Sequence, residues 1–581
     1  MSSLRIALAQ VNPTVGDIDG NVELVRDWIR RAEASAAQLI LFPELVITGY
    51  PPEDLMLKPH FVAASEAAVA ELAADVTEPV VIVGYAASKP ETSNAMAVIA
   101  GGEIRGSYRK NLLPNYGVFD ERRYFDAGTG PALAEVAELP VGLTICEDIW
   151  FPGPPATLEA DAGARLIVNI SASPYQAGKG VVREEMVATR AQEVGVPIAL
   201  CNMVGGQDEL VFDGHSVVVD EAGATLARAG QFEEELLVCD LELDAGERDD
   251  EIPTGSERGP LSVELLRTGS NPPAPTKRAE QQIAELLGPE AEVYAALTLG
   301  LRDYVEKNRF ERVVLALSGG IDSALVALLA VDALGPDRVT TIVMPSPNSS
   351  EETQADARAI AGNLGAQLIE VPIAATMGAY DTLLEHPYAE GRAVTDSAPP
   401  RAGAPDVATE NVQARIRGNV VMALSNRFGW LPLTTGNKSE LSVGYATLYG
   451  DMAGGFAVIK DVSKTLVYKL VRTRNEQAGR ELVPSSVLER APSAELRPDQ
   501  RDEDSLPPYE LLDQILEAYV EEDHGRAEMV AEGLDPDTVD EVIALVDRAE
   551  YKRRQAPPGV KISPKAFGRD RRLPITNRFR G

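Results

Sequence analysis

Short apolar runs recur through the first 242 residues, each followed by a polar or helix-periodic stretch. LRIALAQ precedes NVELVRDWIRRAEAS, then comes AQLILFPE, and later VVIVGYAA, AMAVIA, VGLTIC, RLIVNIS and VPIALCNMV. Runs rich in Val, Ile and Leu, set between helical periods, predict buried strands alternating with helices. The runs close repeatedly on a polar or reactive side chain, so an α/β sandwich or layered sheet with its chemistry at the strand ends is expected over residues 1–242.

At Leu243 the periodicity stops. LDAGERDDEIPTGSERGPLSVELLRTGSNPPAPTKRA is rich in Pro, Gly and charge and reads as a linker over 243–285. Its length predicts a path over the surface of the first domain. Residues 286–581 open with a helix signal over 291–310, in which Val293, Leu297, Leu301 and Tyr304 share a face expected to pack on the sheet that begins at Val313. VVLALSGGIDSALVALLA gives strand, glycine turn and helix; VTTIVMPSP, SSEETQADARAIAGNLG and AQLIEVP then give strand, helix and strand. This rhythm predicts a doubly wound parallel sheet with its ligand beyond the strand C-termini at the switch point.

The glycine turn lies at that place. Its backbone N–H groups and the following helix start suit an anion, yet GxxxxGK[ST] is absent and no lysine closes the loop, so it is not a P-loop. Ser318, Gly319, Gly320, Ile321, Asp322 and Ser323 can surround a pyrophosphate, with Asp322 an oxygen ligand for Mg²⁺. Farther on, Gln413, Arg415 and Arg417 cluster, and LPLTTGNKSE ends a strand with Thr435 and then Glu440, a second carboxylate for the metal. Asp451, Lys464, Ser493, Asp502 and Glu503 lie in stretches that read either as a mobile loop closing over nucleotide or as plain surface.

In the first half Glu44 follows LILFP, Lys110 lies in SYRKNLLPNYGVFDERRYF, and Cys146 ends VGLTIC before EDIW. A cysteine where a strand feeds a helix has a nucleophile's address, its thiolate favoured by the helix start and a nearby lysine. A carboxylate beside it takes and returns a proton, and an ammonium stabilises the oxyanion of a tetrahedral intermediate. Singly, these residues read as a buried small side chain, a cap and a solvated charge. Glu121 and Glu147 are further carboxylates in the same stretches.

Composition narrows the classes. The 581 residues carry 89 Asp and Glu against 54 Lys and Arg, a net charge of −35 that argues against a general nucleic-acid binder despite the basic tail YKRRQAPPGVKISPKAFGRDRRLPITNRFR. Three cysteines and four histidines give neither a disulfide framework nor zinc spacing. No charged leader with a long apolar core opens the sequence and no apolar run is long enough to span a bilayer, so a cytoplasmic protein without membrane partners is expected.

SGGIDS after a buried strand resembles the pyrophosphate loop of the N-type ATP pyrophosphatases. FPELVITGYPPEDL, KNLLPNYGVFDERRYF and CEDIW resemble the Glu-Lys-Cys signature of the nitrilase superfamily, of the glutamine amidase type. With ENVQARIRG, TTGNKSELSVGYATLYGDMAGG, DEDSLPPY and the basic tail added, nearly the whole chain resembles the glutamine-dependent NAD⁺ synthetases. The resemblance implies a nitrilase-like αββα sandwich followed by an adenine nucleotide alpha hydrolase-like domain. It implies Glu44 as base, Lys110 as transition-state stabiliser and Cys146 as nucleophile, with Tyr116, Ser173 and Lys179 lining the glutamine pocket. It also implies ATP on Ser318 to Ser323 and Thr435, and deamido-NAD⁺ on Asn411, Glu440 and Lys552, with Mg²⁺ as cofactor. A homo-oligomer follows too, at least a dimer through the synthetase domain and up to an octamer, with an internal route for ammonia. One departure, Pro347-Asn348 in MPSPNSSEET, leaves the adenosine contacts of that loop open. An ammonia-only enzyme with a degenerate amidase, a tRNA-modifying pyrophosphatase and a nucleotide-binding regulator remain the competing readings.

Overall fold

The computed structural model describes residues 2–243, 263–395, 406–497 and 500–579. The chain divides into two compact units, Met1–Gly288 and Pro289–Gly581.

The first unit holds two facing sheets. One has six strands in the order Glu235–Leu243, Ser2–Gln10, Leu39–Leu41, Val80–Ala87, Ser93–Ala100 and Glu103–Arg109. The other has seven: Thr225–Arg228, Val217–Val219, Ile198–Asn202, Leu166–Ser171, Leu139–Ile145, Ala132–Val136 and Glu264–Leu266. Alternation along each strand builds the layers. Ile6 and Leu8 join Leu143, Ile145, Val168 and Ile170 in the core between the sheets. Ala7 and Ala9 point the other way, under Val25, Trp28 and Ile29 of the helix Ile18–Ala34. The helix Lys179–Val194 covers the outer face of the second sheet through Val187 and Ala191. The result is an αββα sandwich.

Part of the stretch read as linker is regular structure. Glu264–Leu266 pairs in parallel with Ala132–Val136 and extends the second sheet. The following residues stay on this unit, where Gln38 Nε2 donates to the Pro272 carbonyl and the Arg228 N–H to the Gln282 carbonyl. Residues 244–262 of that expected linker lie outside the described residues.

The second unit carries five parallel strands in the order Gln367–Glu370, Val339–Val343, Val313–Ala316, Leu431–Thr434 and Phe456–Ala457. Strand order reverses beside Val313–Ala316, so the loops after it and after Leu431–Thr434 flank the crevice where such sheets bind ligands. The helix Pro289–Lys307 departs from expectation, packing chiefly on the helices Ile321–Leu334 and Lys464–Ala478. IDSALVALLAVDAL is apolar all round, with Ala324 to Ala330 fully buried, so it needs cover on the side away from the sheet. Tyr304 still reaches a strand, stacking on Phe456 with ring centroids 4.0 Å apart.

Candidate active sites

In the first unit the strand Leu139–Ile145 ends in a 3₁₀ turn, Cys146–Ile149, whose first residue is Cys146 with φ +44°. A non-glycine residue held in the left-handed region at a strand end is strained, and such strain gathers at nucleophiles. Cys146 is buried. Burial pushes its thiol up, the Glu44 charge pushes it further, and Lys110 opposes both. The sequence predicts a stabilised thiolate; desolvation outweighs the lysine and the short turn and favours the neutral thiol instead.

A carboxylate acts on it. Glu44 is fully buried, its Oε1 accepting from Lys110 Nζ (2.7 Å) and Asn94 Nδ2 (2.7 Å) and its Oε2 from the Ala172 N–H (2.9 Å). Lys110, also buried, donates to Glu121 Oε1 at 2.8 Å. Burial alone would lower the lysine; Glu121 and Glu44 outweigh it and hold Lys110 well above its usual range. The solvated lysine of the single-residue reading is thus a buried ammonium between two carboxylates.

Glu121 was left unranked by the sequence because spacing cannot reveal that residues 113–125 fold back over Lys110. Burial and the nearby Glu44 raise it from 4.5 to about 7, against hydrogen bonds from Lys110 and from the Tyr50 hydroxyl at 3.0 Å. Its proton is held more tightly in the folded chain than in the unfolded one. The stability this proton adds is full below pH about 4.5 and is lost as pH rises through about 7. Glu121→Gln keeps the shape and cannot titrate, so the stability difference between wild type and this variant should fall between pH 5 and pH 8. Thermal unfolding at the two pH values checks this, and a difference that grows with pH would refute the raised Glu121.

The residues expected to line a glutamine pocket gather around this centre. Tyr116 is half exposed and donates through its hydroxyl to Glu147 (2.9 Å), the residue after Cys146. Ser173 is buried next to Ala172, with its N–H on Asn202 Oδ1 at 2.9 Å. Lys179 lies over the Trp150 ring, 5.4 Å from its centroid, and its charge acts on Glu147. Cys201 and Cys239 are buried in the core between the sheets.

In the second unit a cavity of about 650 Å³ opens at the strand C-termini. Ser318, Gly320, Ile321, Asp322 and Ser323 line it, as do Thr435, Asn411, Glu440 and Lys552. Gly319 turns the loop at φ +85°, where a Cβ would lie 2.0 Å from the Thr353 carbonyl oxygen, so no side chain is tolerated there. The loop closes on itself: Gly320 N–H donates to Ser318 Oγ (3.1 Å), and Ser318 N–H to Ser323 Oγ (3.2 Å). Asn411 accepts from the Thr447 hydroxyl (2.8 Å), and Lys552 donates to the Gly444 and Ala446 carbonyls, both at 2.7 Å. Of the two arginines singled out, Arg417 faces the cavity, its guanidinium lowered by burial, and Arg415 is exposed.

Asp322 and Glu440 do come together, but across a cation of the chain itself. Lys464 Nζ donates to Asp322 Oδ2 (2.6 Å) and Glu440 Oε1 (3.0 Å), and Asn437 Nδ2 holds Asp322 Oδ1 (2.9 Å). Burial and the charges of Asp322 and Asp502 raise Glu440 despite the lysine. Three carboxylates crowd one ammonium. Lys464, read as a loop residue, begins the helix Lys464–Ala478 and is buried; Asp502 is buried as well. Among the described residues no group of three His, Cys, Asp or Glu side chains is set to hold a metal ion. None of their helices is long and apolar enough to cross a membrane.

The fold and these two centres define a class: a carbon–nitrogen hydrolase unit with a buried cysteine at a strand end, followed by a nucleotide-binding unit whose cavity opens beside a glycine turn. Residues 5–248 match the carbon–nitrogen hydrolase family and residues 293–556 the NAD synthase family. The chain is 47% identical to the glutamine-dependent NAD(+) synthetase of Thermotoga maritima over 585 residues, covering 100% of both chains. It is 46% identical to that of Aquifex aeolicus, covering 99% of this chain and 100% of the other. Among solved structures, the glutamine-dependent NAD⁺ synthetase of Acinetobacter baumannii in complex with ADP aligns with TM-score 0.73 at 37% identity, over 99% of each chain. The chain belongs to the glutamine-dependent NAD⁺ synthetases, amide-forming ligases that hydrolyse glutamine.

Proposed function

We propose that the first unit releases ammonia from glutamine at Cys146 and that the second uses it to amidate deamido-NAD⁺, with ATP cleaved to AMP and pyrophosphate. The observation that carries the first half is the buried Lys110 ammonium between Glu44 and Glu121 beside a strained, buried cysteine.

Glu44 takes the Cys146 proton, and the sulfur attacks the side-chain carbonyl of glutamine. Two of the three Lys110 donors go to carboxylates, and the third faces the oxyanion of the tetrahedral intermediate. Glu44 returns the proton to the leaving nitrogen, ammonia departs, and a thioester remains. Water, losing a proton to Glu44, then releases glutamate and restores the thiol. Lys179 suits the α-carboxylate of glutamine and Glu147, oriented by Tyr116, its α-ammonium. Glu147→Gln removes one charge-assisted bond, worth about 1.5–3 kcal/mol. It should raise KM for glutamine about 10–100-fold with kcat within about threefold; an unchanged KM would remove Glu147 from the pocket.

In the second unit the nicotinate carboxylate of deamido-NAD⁺ attacks the α-phosphorus of ATP, and pyrophosphate leaves against the loop from Ser318 to Ser323. Ammonia then displaces AMP. An internal route would deliver it neutral, since free ammonia is mostly ammonium at neutral pH. Thr435 faces ATP, and Asn411, Glu440 and Lys552 face deamido-NAD⁺. The surplus of carboxylates over ammonium at Asp322, Glu440 and Lys464 suits a hard cation, so Asp322 and Glu440 would hold Mg²⁺. Bound there, it would supply positive charge to the phosphates. Lys464 then has phosphate oxygens within its chemistry. The enzyme is further proposed to act as a homo-oligomer in the cytoplasm. Glutamine, ATP, Mg²⁺ and deamido-NAD⁺ mixed with the enzyme should yield glutamate and NAD⁺ together; NAD⁺ without glutamate would overturn the scheme.

A further inference from the structure

The lysine and the cysteine of the amidase centre come from separate strand ends, and something must fix their spacing. Lys110 follows the strand Glu103–Arg109 of the six-stranded sheet, whereas Cys146 follows Leu139–Ile145 of the seven-stranded one. The strands face each other across the core, so neither sheet's ladder sets the register of one residue against the other.

Asp148 spans that gap. It is fully buried in the turn that carries the nucleophile. Its Oδ1 accepts the N–H groups of Asn111 (3.0 Å) and Leu112 (2.8 Å), the two residues after the lysine. Its Oδ2 accepts the Ile145 N–H (3.0 Å), just before the cysteine, and the hydroxyl of the buried Tyr108 (2.7 Å). Asn111 Nδ2 donates to that same tyrosine oxygen (2.6 Å), which closes the cluster. Four donors therefore converge on one carboxylate, three from the Lys110 side of the gap and one from its own turn.

We propose that Asp148 is a positioning residue of the amidase, its carboxylate clamping the backbone after Lys110 to the backbone around Cys146. The Lys110 backbone is otherwise tied only toward its own sheet and the loop beyond, its N–H donating to the Asn94 carbonyl (2.9 Å) and its carbonyl accepting from Gly128 (2.7 Å). The clamp adds the tie that runs across to the nucleophile. It touches neither glutamine nor the reacting atoms. Its loss should leave substrate affinity intact and misplace the ammonium relative to the oxyanion, and small displacements of that kind cost about 10²-fold in rate. The inference rests on the Cys146, Lys110 and Glu44 assignment.

The test uses the full chain and two variants. Asp148→Asn keeps the size but turns an NH₂ group toward two of the N–H or O–H donors, so an oxygen pair that accepted four bonds becomes one acceptor and one clashing donor. Glutamine hydrolysis should lose about 10²-fold in kcat with KM within about twofold, and ammonia-driven NAD⁺ formation should keep its wild-type rate. Tyr108→Phe removes a single donor and should cost kcat several-fold, again at constant KM; it decides the matter if Asp148→Asn does not fold. Wild-type kcat in the folded variant, or a loss carried by KM, would overturn the clamp. A Cys146→Ala chain that still hydrolyses glutamine would instead overturn the assignment beneath it.

Discussion

Cys146→Ala is expected to lower glutamine-driven NAD⁺ formation by at least about 10⁴-fold while leaving ammonia-driven formation at the wild-type rate. The size follows from chemistry. Without sulfur no thioester forms, and Glu44 and Lys110 have no nucleophile to serve, so the members of a catalytic unit fail together. The selectivity follows from the division of the chain, since Cys146 lies in the unit Met1–Gly288 and the ATP cavity is lined wholly by residues of Pro289–Gly581. The fold should tolerate the change, because alanine is smaller than cysteine and faces the same φ of +44° with no greater penalty. The measurement pairs glutamate release with NAD⁺ formation, first with glutamine and then with ammonium salt at alkaline pH. If both routes fell alike, the proposed division of labour would be wrong. If glutamine still served, another nucleophile would have to be sought, and the other two cysteines, Cys201 and Cys239, are buried in the core between the sheets.

The parts of this centre that were legible in the sequence are those where residue type and flanking motif coincide. Glu44 and Cys146 stand in FPE and TICED at the ends of apolar runs, so the pattern places them at strand ends, whereas Lys110 follows the polar stretch EIRGSYR and is marked by its motif alone. The sandwich was legible for a similar reason: continuous apolar runs that bury both faces of a strand need layers on both sides. What escaped is whatever depends on a chain segment folding back. Glu121 lies eleven residues past Lys110, and only the turn between them brings its carboxylate to the ammonium, 2.8 Å away. Asp148 sits inside CEDIW, yet three of its four donors arrive from the distant segment around Lys110. Lys464 lies after loops whose paths spacing does not encode, which is why the meeting of Asp322 with Glu440 could be foreseen and the lysine between them could not. The strand Glu264–Leu266 was missed because three residues among Pro, Gly and charge carry no readable period.

Asp322→Asn is expected to lower NAD⁺ formation by about 10²–10³-fold from glutamine and from ammonia alike, the opposite selectivity to that of the cysteine variant. Asparagine keeps the oxygen that accepts from Asn437 Nδ2, so the loop and the helix after it should hold their shape. The charge is removed, and the oxygen that accepted from Lys464 Nζ is replaced by an NH₂ group. Lys464 then retains one of its two carboxylate partners, and Glu440, raised in part by the Asp322 charge, moves back toward its ordinary range. The site thereby loses the surplus of negative charge that suits it to a hard cation beside ATP phosphates, and the half-saturating Mg²⁺ concentration should rise at least about tenfold. The step affected is adenylation, so exchange of labelled pyrophosphate into ATP, dependent on deamido-NAD⁺, should fall by the same factor as NAD⁺ formation. Glutamine hydrolysis at Cys146 should persist in this variant. Retention of pyrophosphate exchange with loss of NAD⁺ would move Asp322 from the adenylation step to the attack by ammonia, whereas full activity at ordinary Mg²⁺ would leave the Lys464 cluster a structural ion pair.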